Sequence, residues 1–390
     1  MKICDITQAY NPTSGGIKTY IDEKRRYIGE MHCGTHILIV PGRRDSVTKD
    51  GISRTYHVAG FPVPGCEPYR FTLYLNRVAA ILVREQPEVI EFGSPYFLPL
   101  AVSSRRRKKN STVIGFCHTD FPAAYVERPL QKRGIPLTAG AARRIAELYM
   151  RAIYNRFDAT IVASAGMVRR MAEIGIAPVY RVNLGVDTEL FHPRRRDTSL
   201  RSDLGLTDND ILLVYAGRLD EEKRIRLLVE SFTTTGNAWN GHLAIMGNGP
   251  QKDYVIEQAR RNERIIYRAY EDDRTRLATL LASADIYVTA GPHETFALSV
   301  IEAQASGLPV IGVRAGALIE RVTDDLGLLC PADSPADMAN AMRYLSANGF
   351  RQMGMRARHL IERDFSWTTT FDTLFDYYEQ LHTHTKTARA

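Results

Sequence analysis

Residues 286–311 read IYVTAGPHETFALSVIEAQASGLPVI, and the order of chemistry along that stretch decides the fold. The run Ile286–Thr289 has the β-branched and aromatic composition of a buried strand. A loop containing Gly291 and Pro292 ends it. Phe296–Ser306 then has helical periodicity, and Gly307-Leu308-Pro309 separates that helix from a second apolar run, Val310–Val313. Strand, loop, helix and strand at this spacing form a βαβ unit, whose two strands lie parallel.

The same alternation extends in both directions. Further strands are expected at Ile211–Ala216, His242–Met246 and Ile265–Tyr267, with helices near Arg224–Phe232, Gln251–Arg261 and Asp273–Ser283. The first half repeats the pattern with strands at Lys2–Thr7, His36–Val40, Val89–Phe92, Thr112–Phe116, Ala159–Ala163 and Val179–Asn183. After the first strand, Ile17, Tyr20, Ile21, Ile28 and Met31 form one helical stripe and Lys18, Asp22, Lys24 and Arg25 another. The first stripe should pack on the sheet and the second should face water. Two doubly wound parallel sheets in 390 residues imply an α/β chain of two Rossmann-like domains facing across a cleft. The polar, proline-interrupted stretch Phe191–Asp197 reads as the linker, which gives domains at 1–196 and 197–365. Residues 366–390, apolar at Phe371, Leu374, Phe375 and Tyr378, are expected to form a C-terminal helix packing back toward the first domain.

Composition narrows the class. Hydrophobic residues make up 44% and charged residues 24%, the balance of a globular enzyme rather than a disordered or fibrous chain. The longest apolar runs, such as Val78–Val83, fall far below the roughly 18 to 20 residues of a membrane-spanning helix. The N-terminus reads as a buried strand rather than a signal peptide, and Cys4, Cys33, Cys66, Cys117 and Cys330 lack the spacing of a disulfide framework or zinc site. Reduced thiols and a cytoplasmic location are therefore expected. Charge is uneven: residues 1–196 hold 30 Lys and Arg against 17 Asp and Glu, and residues 197–390 hold 21 against 27. The basic half, with its run Arg105–Lys109, suits an anionic partner such as a phosphorylated acceptor or a membrane surface.

Parallel α/β sheets bind ligands at the carboxyl ends of their strands. After Ile211–Ala216, Arg218 and Lys223 offer two cations for phosphate oxygens. After Ile286–Thr289, the helix start near Phe296, Ala297 and Leu298 offers free amides and a favourable dipole for a pyrophosphate. At roughly 1.5 Å per helical residue, Glu294 and Glu302 stand up to ~12 Å apart, about the distance from a transferred sugar to the ribose of its nucleotide. Glu294 would accept hydrogen bonds from sugar hydroxyls and Glu302 from the ribose diol. His118 directly follows the strand Thr112–Phe116, and Gly15-Gly16 sits between the first strand and the first helix.

The segment from Glu294-Thr295-Phe296 through Glu302-Ala303-Gln304-Ala305-Ser306-Gly307-Leu308-Pro309 resembles the signature of the retaining GT-B glycosyltransferases of family four. Tyr215–Leu219 with Glu222-Lys223 resembles that family's phosphate-binding element, and Asn183–Asp187 with Phe191 and Pro193 resembles its linker. The resemblance, nearest to bacterial mannosyl- and glucosyltransferases, covers nearly the whole chain. It implies transfer of a hexosyl group from a UDP-glucose, UDP-galactose or GDP-mannose type donor to a lipid-linked or saccharide acceptor. It also implies roles for Gly15-Gly16 beside the donor phosphate or acceptor, for His118 beside the transferred sugar, and for Thr295, Phe296, Ala297 and Leu298 at the donor. Two departures stand out: Ala297 where many members have Gly, and Arg314-Ala315-Gly316-Ala317 in place of a Gly-Gly loop.

No carboxylate is placed as a nucleophile for double displacement. Front-face substitution, with Arg218 and Lys223 stabilising the leaving diphosphate and no metal or other cofactor required, is the implied route; the lack of a DxD sequence at a strand end agrees with it. The competing readings are a nucleotide-sugar epimerase or hydrolase of the same fold and a basic nucleic-acid-binding protein. The second lacks a recognised nucleic-acid motif, so no nucleic acid is expected as a partner. The basic first half also suggests peripheral contact with the inner face of the cytoplasmic membrane.

Overall fold

The computed structural model describes residues 1–10, 15–63, 69–102, 111–127, 130, 135–207, 209–236, 239–270 and 273–389. The basic run Arg105–Lys109 and Cys66 lie outside them. The chain divides into two compact units, Met1–Asn183 with Trp367–Ala390, and Leu184–Ser366.

The first unit is built on strands β1 (Lys2–Ile6), β2 (Thr35–Gly42), β3 (Ser46–Asp50), β4 (Ser53–Ala59), β5 (Phe61–Pro62), β6 (Arg70–Phe71), β7 (Val89–Phe92), β8 (Thr112–Cys117), β9 (Ala159–Val162) and β10 (Val179–Arg181). Its main sheet runs β10-β9-β8-β7-β1-β2-β4-β3, parallel except at β3–β4. Helices α1 (Gly16–Glu30), α2 (Leu75–Glu85), α3 (Pro136–Tyr154) and α4 (Ala165–Ile174) accompany it. Every residue of β7, β8 and β9 is buried, as strands covered on both faces require. The antiparallel β3–β4 hairpin was not among the expected elements. β3, exposed along its length, lacks the apolar run that marks the other strands, and a left-handed Gly51 lies between it and β4.

In the second unit, β11 (Ile211–Ala216), β12 (Gly241–Gly247), β13 (Ile265–Ala269), β14 (Ile286–Val288), β15 (Val310–Val313) and β16 (Gly327–Cys330) form one parallel sheet, ordered β13-β12-β11-β14-β15-β16. Helices α5 (Thr198–Asp203), α6 (Ile225–Thr234), α7 (Lys252–Arg261), α8 (Arg274–Ser283), α9 (Leu298–Ala305), α10 (Leu318–Arg321), α11 (Pro335–Ala347) and α12 (Phe350–Asp364) belong to it. The division falls at Asn183/Leu184 rather than near residue 196 because the presumed linker is bound into this unit. Buried Arg358 donates to the carbonyls of Phe191 and Ala305, both at 2.6 Å, and to that of Thr188 at 3.0 Å. Val186 N–H donates to Phe365 O at 2.8 Å, and Pro193 packs against left-handed Gly307. A polar stretch interrupted by Pro193 resembles a hinge in sequence, yet its Phe191 carbonyl here accepts from a buried guanidinium.

The last helix, α13 (Trp367–Arg389), returns to the first unit. It meets a buried ionic cluster that the helical pattern of α1 misplaced. Lys24, assigned to the solvent stripe, is fully buried, whereas Met31, assigned to the core stripe, is 57% exposed. The Lys24 ammonium donates to Asp5 at 2.8 Å, Glu91 at 3.0 Å and the Tyr378 hydroxyl of α13 at 3.1 Å. Tyr20 and Tyr378 both donate to Glu91. His36 accepts from Arg25 at Nδ1, which leaves Nε2–H to donate to Asp5 at 2.6 Å. Burial by itself raises the Asp5 pKa, but Lys24 and His36 outweigh it and hold the carboxyl below its usual range. Burial raises Glu91 despite Lys24.

Removing one partner of such a cluster leaves charge buried without compensation, typically at 3–5 kcal/mol. Lys24→Met is therefore expected to destabilise the first unit by about 3–5 kcal/mol in denaturant unfolding. Lys18→Met, which breaks the exposed Lys18–Asp22 pair, should change stability by less than about 1 kcal/mol. Equal effects of the two would place Lys24 outside the supporting core.

Candidate active site

In the second unit, two strand-end loops converge. The loop after β11 is capped by Asp220, whose carboxylate accepts from Lys223 N–H at 3.1 Å. This turn aims the Lys223 side chain at Glu294 in the loop after β14, where Nζ and Oε1 stand 2.5 Å apart. Both side chains are more than four-fifths buried. Arg218 is more exposed, and its guanidinium pairs with Asp220 and Glu222. Its backbone carbonyl accepts from the Tyr215 hydroxyl at 2.8 Å.

The β14 loop is shaped by backbone constraints. Gly316, in left-handed conformation, lies so close that a Cβ would meet Glu294 O at 2.6 Å and Pro292 O at 2.9 Å. The neighbouring Ala317 N–H donates to Glu294 O at 2.8 Å. The Arg314–Ala317 loop thus supports the Glu294 backbone through a glycine that tolerates no side chain. Ala297 takes φ +67°, a conformation in which a residue other than glycine is strained. This explains the glycine usual in the resembled signature. Helix α9 starts at Leu298, later than the expected Phe296, so Phe296 and Ala297 are loop residues and the first helical amide is that of Leu298. Phe296 is buried against the guanidinium of Arg321, 4.3 Å from its ring centroid; Thr295 and Leu298 are partly buried.

Glu302 lies within α9 and has a separate partner. Its Oε1 accepts from Arg274 Nη2 at 2.9 Å. Burial raises its pKa, and Arg274 opposes that shift. Glu294 and Glu302 therefore hold different cations, Lys223 and Arg274.

The remaining expected residues lie in the first unit. His118 follows β8 directly, its ring stacked on Phe116 at 4.2 Å and edge-on to Tyr20 at 5.4 Å. Gly93, after β7, packs tightly on Thr7, which a Cβ there would approach to 3.3 Å, and lies at ordinary contact distance, 3.7 Å, from the His118 ring. Asp120, two residues on, pairs with Arg170 at 2.9 Å. Gly15 caps α1 and Gly16 begins it; an added Cβ at Gly15 would meet no described atom within 4 Å, so packing does not demand glycine there. Sequence reasoning missed a run of rings beside this region, where Phe121 neighbours Tyr96 at 5.5 Å and Tyr96 neighbours Phe71 at 5.5 Å. Their wide separation in sequence hides that row. Among the described residues, no group of three or more His, Cys, Asp and Glu side chains could hold a metal ion.

Residues 14–190 match the Glycosyltransferase Family 4 description and residues 210–348 match Glycosyl transferases group 1. The chain is also 30% identical over 375 residues to the GDP-mannose-dependent alpha-(1-6)-phosphatidylinositol dimannoside mannosyltransferase of Mycobacterium tuberculosis, covering 94% of this chain and 93% of that one. The chain belongs to the group 1 glycosyltransferases of family 4. A GDP-mannose-dependent alpha-mannosyltransferase of the same organism is 30% identical to this glycosyltransferase over 391 residues, covering 97% and 96% of the two chains. Among solved structures, sucrose-phosphate synthase from Thermosynechococcus elongatus superposes with a TM-score of 0.81 at 19% identity, covering 98% and 99% of the chains. Anabaena HepE in complex with UDP does so at 0.74 and 17%, covering 97% and 100%. These likenesses establish the GT-B fold. Gly15, Gly16 and His118 of the glycosyltransferase lie inside the family 4 match, and Arg218, Lys223, Glu294 and Glu302 inside the group 1 match.

His118 has a testable protonation state. Burial, reinforced by the Lys24 charge and opposed by Asp5, pushes its pKa from 6.5 down to about 3. The ring is then neutral across ordinary assay conditions. Because the folded pKa lies below the unfolded one, His118 contributes stability that is lost as pH falls below about 6.5. In an NMR titration the His118 ring signals should hold the neutral position from pH 8 to about 5. Titration near the ordinary histidine value would contradict its burial.

Proposed function

We propose that this glycosyltransferase moves mannose from GDP-mannose to a lipid-linked acceptor with retention of configuration and without a metal ion. The observation that carries the reading is the convergence of Lys223 and Glu294 at two neighbouring strand ends. A cation for the leaving diphosphate and a carboxylate for sugar hydroxyls stand side by side there, which suits stabilisation of a departing nucleotide diphosphate. The choice of mannose and of a lipid acceptor rests on similarity to the mycobacterial phosphatidylinositol dimannoside mannosyltransferase. In this reading Lys223 turns from Glu294 toward the diphosphate when donor binds, Arg218 adds a second cation, and neutral His118 hydrogen-bonds the transferred sugar. Gly15-Gly16 permits close approach of backbone to substrate, and Glu302 accepts the ribose hydroxyls.

Turnover with a panel of GDP- and UDP-sugars, with product stereochemistry read by NMR, tests this directly. GDP-mannose should be preferred, the α product formed, and activity unchanged by EDTA. Lys223→Ala should lower kcat about 100- to 1,000-fold, as loss of one preorganised stabilising contact does. His118→Ala should be similarly impaired yet still bind GDP. Near-wild-type turnover of Lys223→Ala would remove the leaving-group assignment, and conversion of the nucleotide sugar without acceptor would favour the epimerase or hydrolase reading.

Peripheral membrane docking forms part of the same proposal. On α3, Ile145 is 69% and Leu148 60% exposed, next to exposed Arg144 and Arg151. Arg143 of the same helix is engaged by Glu127 and Glu147. Met150, Ile153 and Tyr154 occupy the buried side of the helix. Among the described residues no helix is long and apolar enough to cross a membrane, so contact would be interfacial. Two arginines contribute about 1 kcal/mol each at an anionic surface, and two buried aliphatic side chains add about 1.5–3 kcal/mol apiece. Co-sedimentation should occur with phosphatidylglycerol but not phosphatidylcholine vesicles and should weaken at least about tenfold in Ile145→Asp/Leu148→Asp. Absence of binding to anionic vesicles at low salt would exclude docking.

A further inference from the structure

We propose that Arg274 is a positioning residue that orients the Glu302 carboxylate for the ribose diol of the donor, and that the ring of Phe191 sets Arg274 in turn. The inference deepens the assignment of Glu302 to the ribose and rests on it. Arg274 is the first residue of α8, whose cap is the Asp273 side chain. A cation at a helix N-terminus opposes the helix dipole, so local helix stability does not favour arginine at this position. Its side chain instead reaches across to α9, where Nη2 donates to Glu302 Oε1 at 2.9 Å. The guanidinium also lies over the fully buried ring of Phe191, 5.1 Å from the centroid.

The support behind Phe191 is continuous with the site. Arg358 holds the Phe191 carbonyl and that of Ala305, the last residue of the helix that carries Glu302. One buried guanidinium thereby ties the ring beneath Arg274 to the helix that presents its carboxylate partner. A planar fork donates in fixed directions, so a supported arginine limits the rotamers of the carboxylate it holds. A carboxylate engaged on one oxygen and turned by that contact suits two vicinal hydroxyls better than a freely rotating one. Burial already raises the Glu302 pKa, and loss of Arg274 would raise it further. Protonation would then weaken diol binding at higher pH than in the native protein.

Measurement of binding to GDP and to 2′,3′-dideoxy-GDP by the full-length protein separates positioning from simple charge compensation. The native protein should prefer GDP by about 10- to 100-fold, the range for hydrogen bonds to a charged group. In Arg274→Gln that preference should shrink to about threefold or less, with GDP affinity falling off on acidification at a higher pH than in the native protein. Arg274→Lys, which keeps charge without the fork, should recover part of the preference, and Phe191→Leu should lie between native and Arg274→Gln. If Arg274→Gln weakens both nucleotides equally, or keeps the full preference, the positioning role is wrong; recovery of the full preference by Arg274→Lys would reduce it to charge alone. Glu302→Gln provides the separate check, because a full diol preference in that variant would overturn the ribose assignment itself. Loss of the preference in Glu302→Gln but not in Arg274→Gln would leave that assignment standing and overturn the inference.

Discussion

A parallel sheet covered by helices on both faces leaves its strand ends as the natural place for polar chemistry. Strands β7, β8 and β9 are buried throughout, and β14 and β15 likewise. Side chains along them must be apolar or fully compensated, so the residues proposed to handle phosphate and sugar lie in the loops beyond the carboxyl ends. Lys223 follows β11, Glu294 follows β14 and His118 follows β8. At Gly316 another loop packs closely against the Glu294 backbone and supports it from behind.

Charge that does enter the interior is matched there. Lys24 faces Asp5 and Glu91, and the network reaches Tyr378 of α13, which joins the last helix of the chain to the first unit. Arg358 has a different set of partners, backbone carbonyls rather than carboxylates. Those carbonyls come from a strand-less segment and from the end of α9, groups that would otherwise be buried without donors. Each cluster fastens an element that secondary-structure hydrogen bonds alone would leave loosely attached. His118 stands beside the first cluster, and the Lys24 charge helps keep its ring neutral.

Much of the architecture was legible because periodicity is a local property. The strands that carry the site were expected within two residues of their observed bounds, since continuous apolar runs of that length have few other uses. The convergence of Lys223 and Glu294 could be anticipated only as membership of two strand ends. The β3–β4 hairpin escaped notice because exposed β3 has no apolar run, and β16, Gly-Leu-Leu-Cys, has none of the β-branched or aromatic residues that mark the expected strands. Lys24 escaped because helical periodicity sorts residues by polarity, and its compensating partners lie on β1, β7 and α13.

By itself, then, the sequence determined the two-sheet α/β plan, the strand ends that carry the candidate site and the residue types found there. These follow from local hydrophobic patterning and from Gly and Pro placement, which need no knowledge of distant contacts. Tertiary structure decided where the chain divides, that Lys223 meets Glu294 and Arg274 meets Glu302, that Ala297 is held in a left-handed conformation, and that a lysine lies in the core. Each depends on the pairing of groups far apart along the chain, where buried charge and backbone polar groups find their partners.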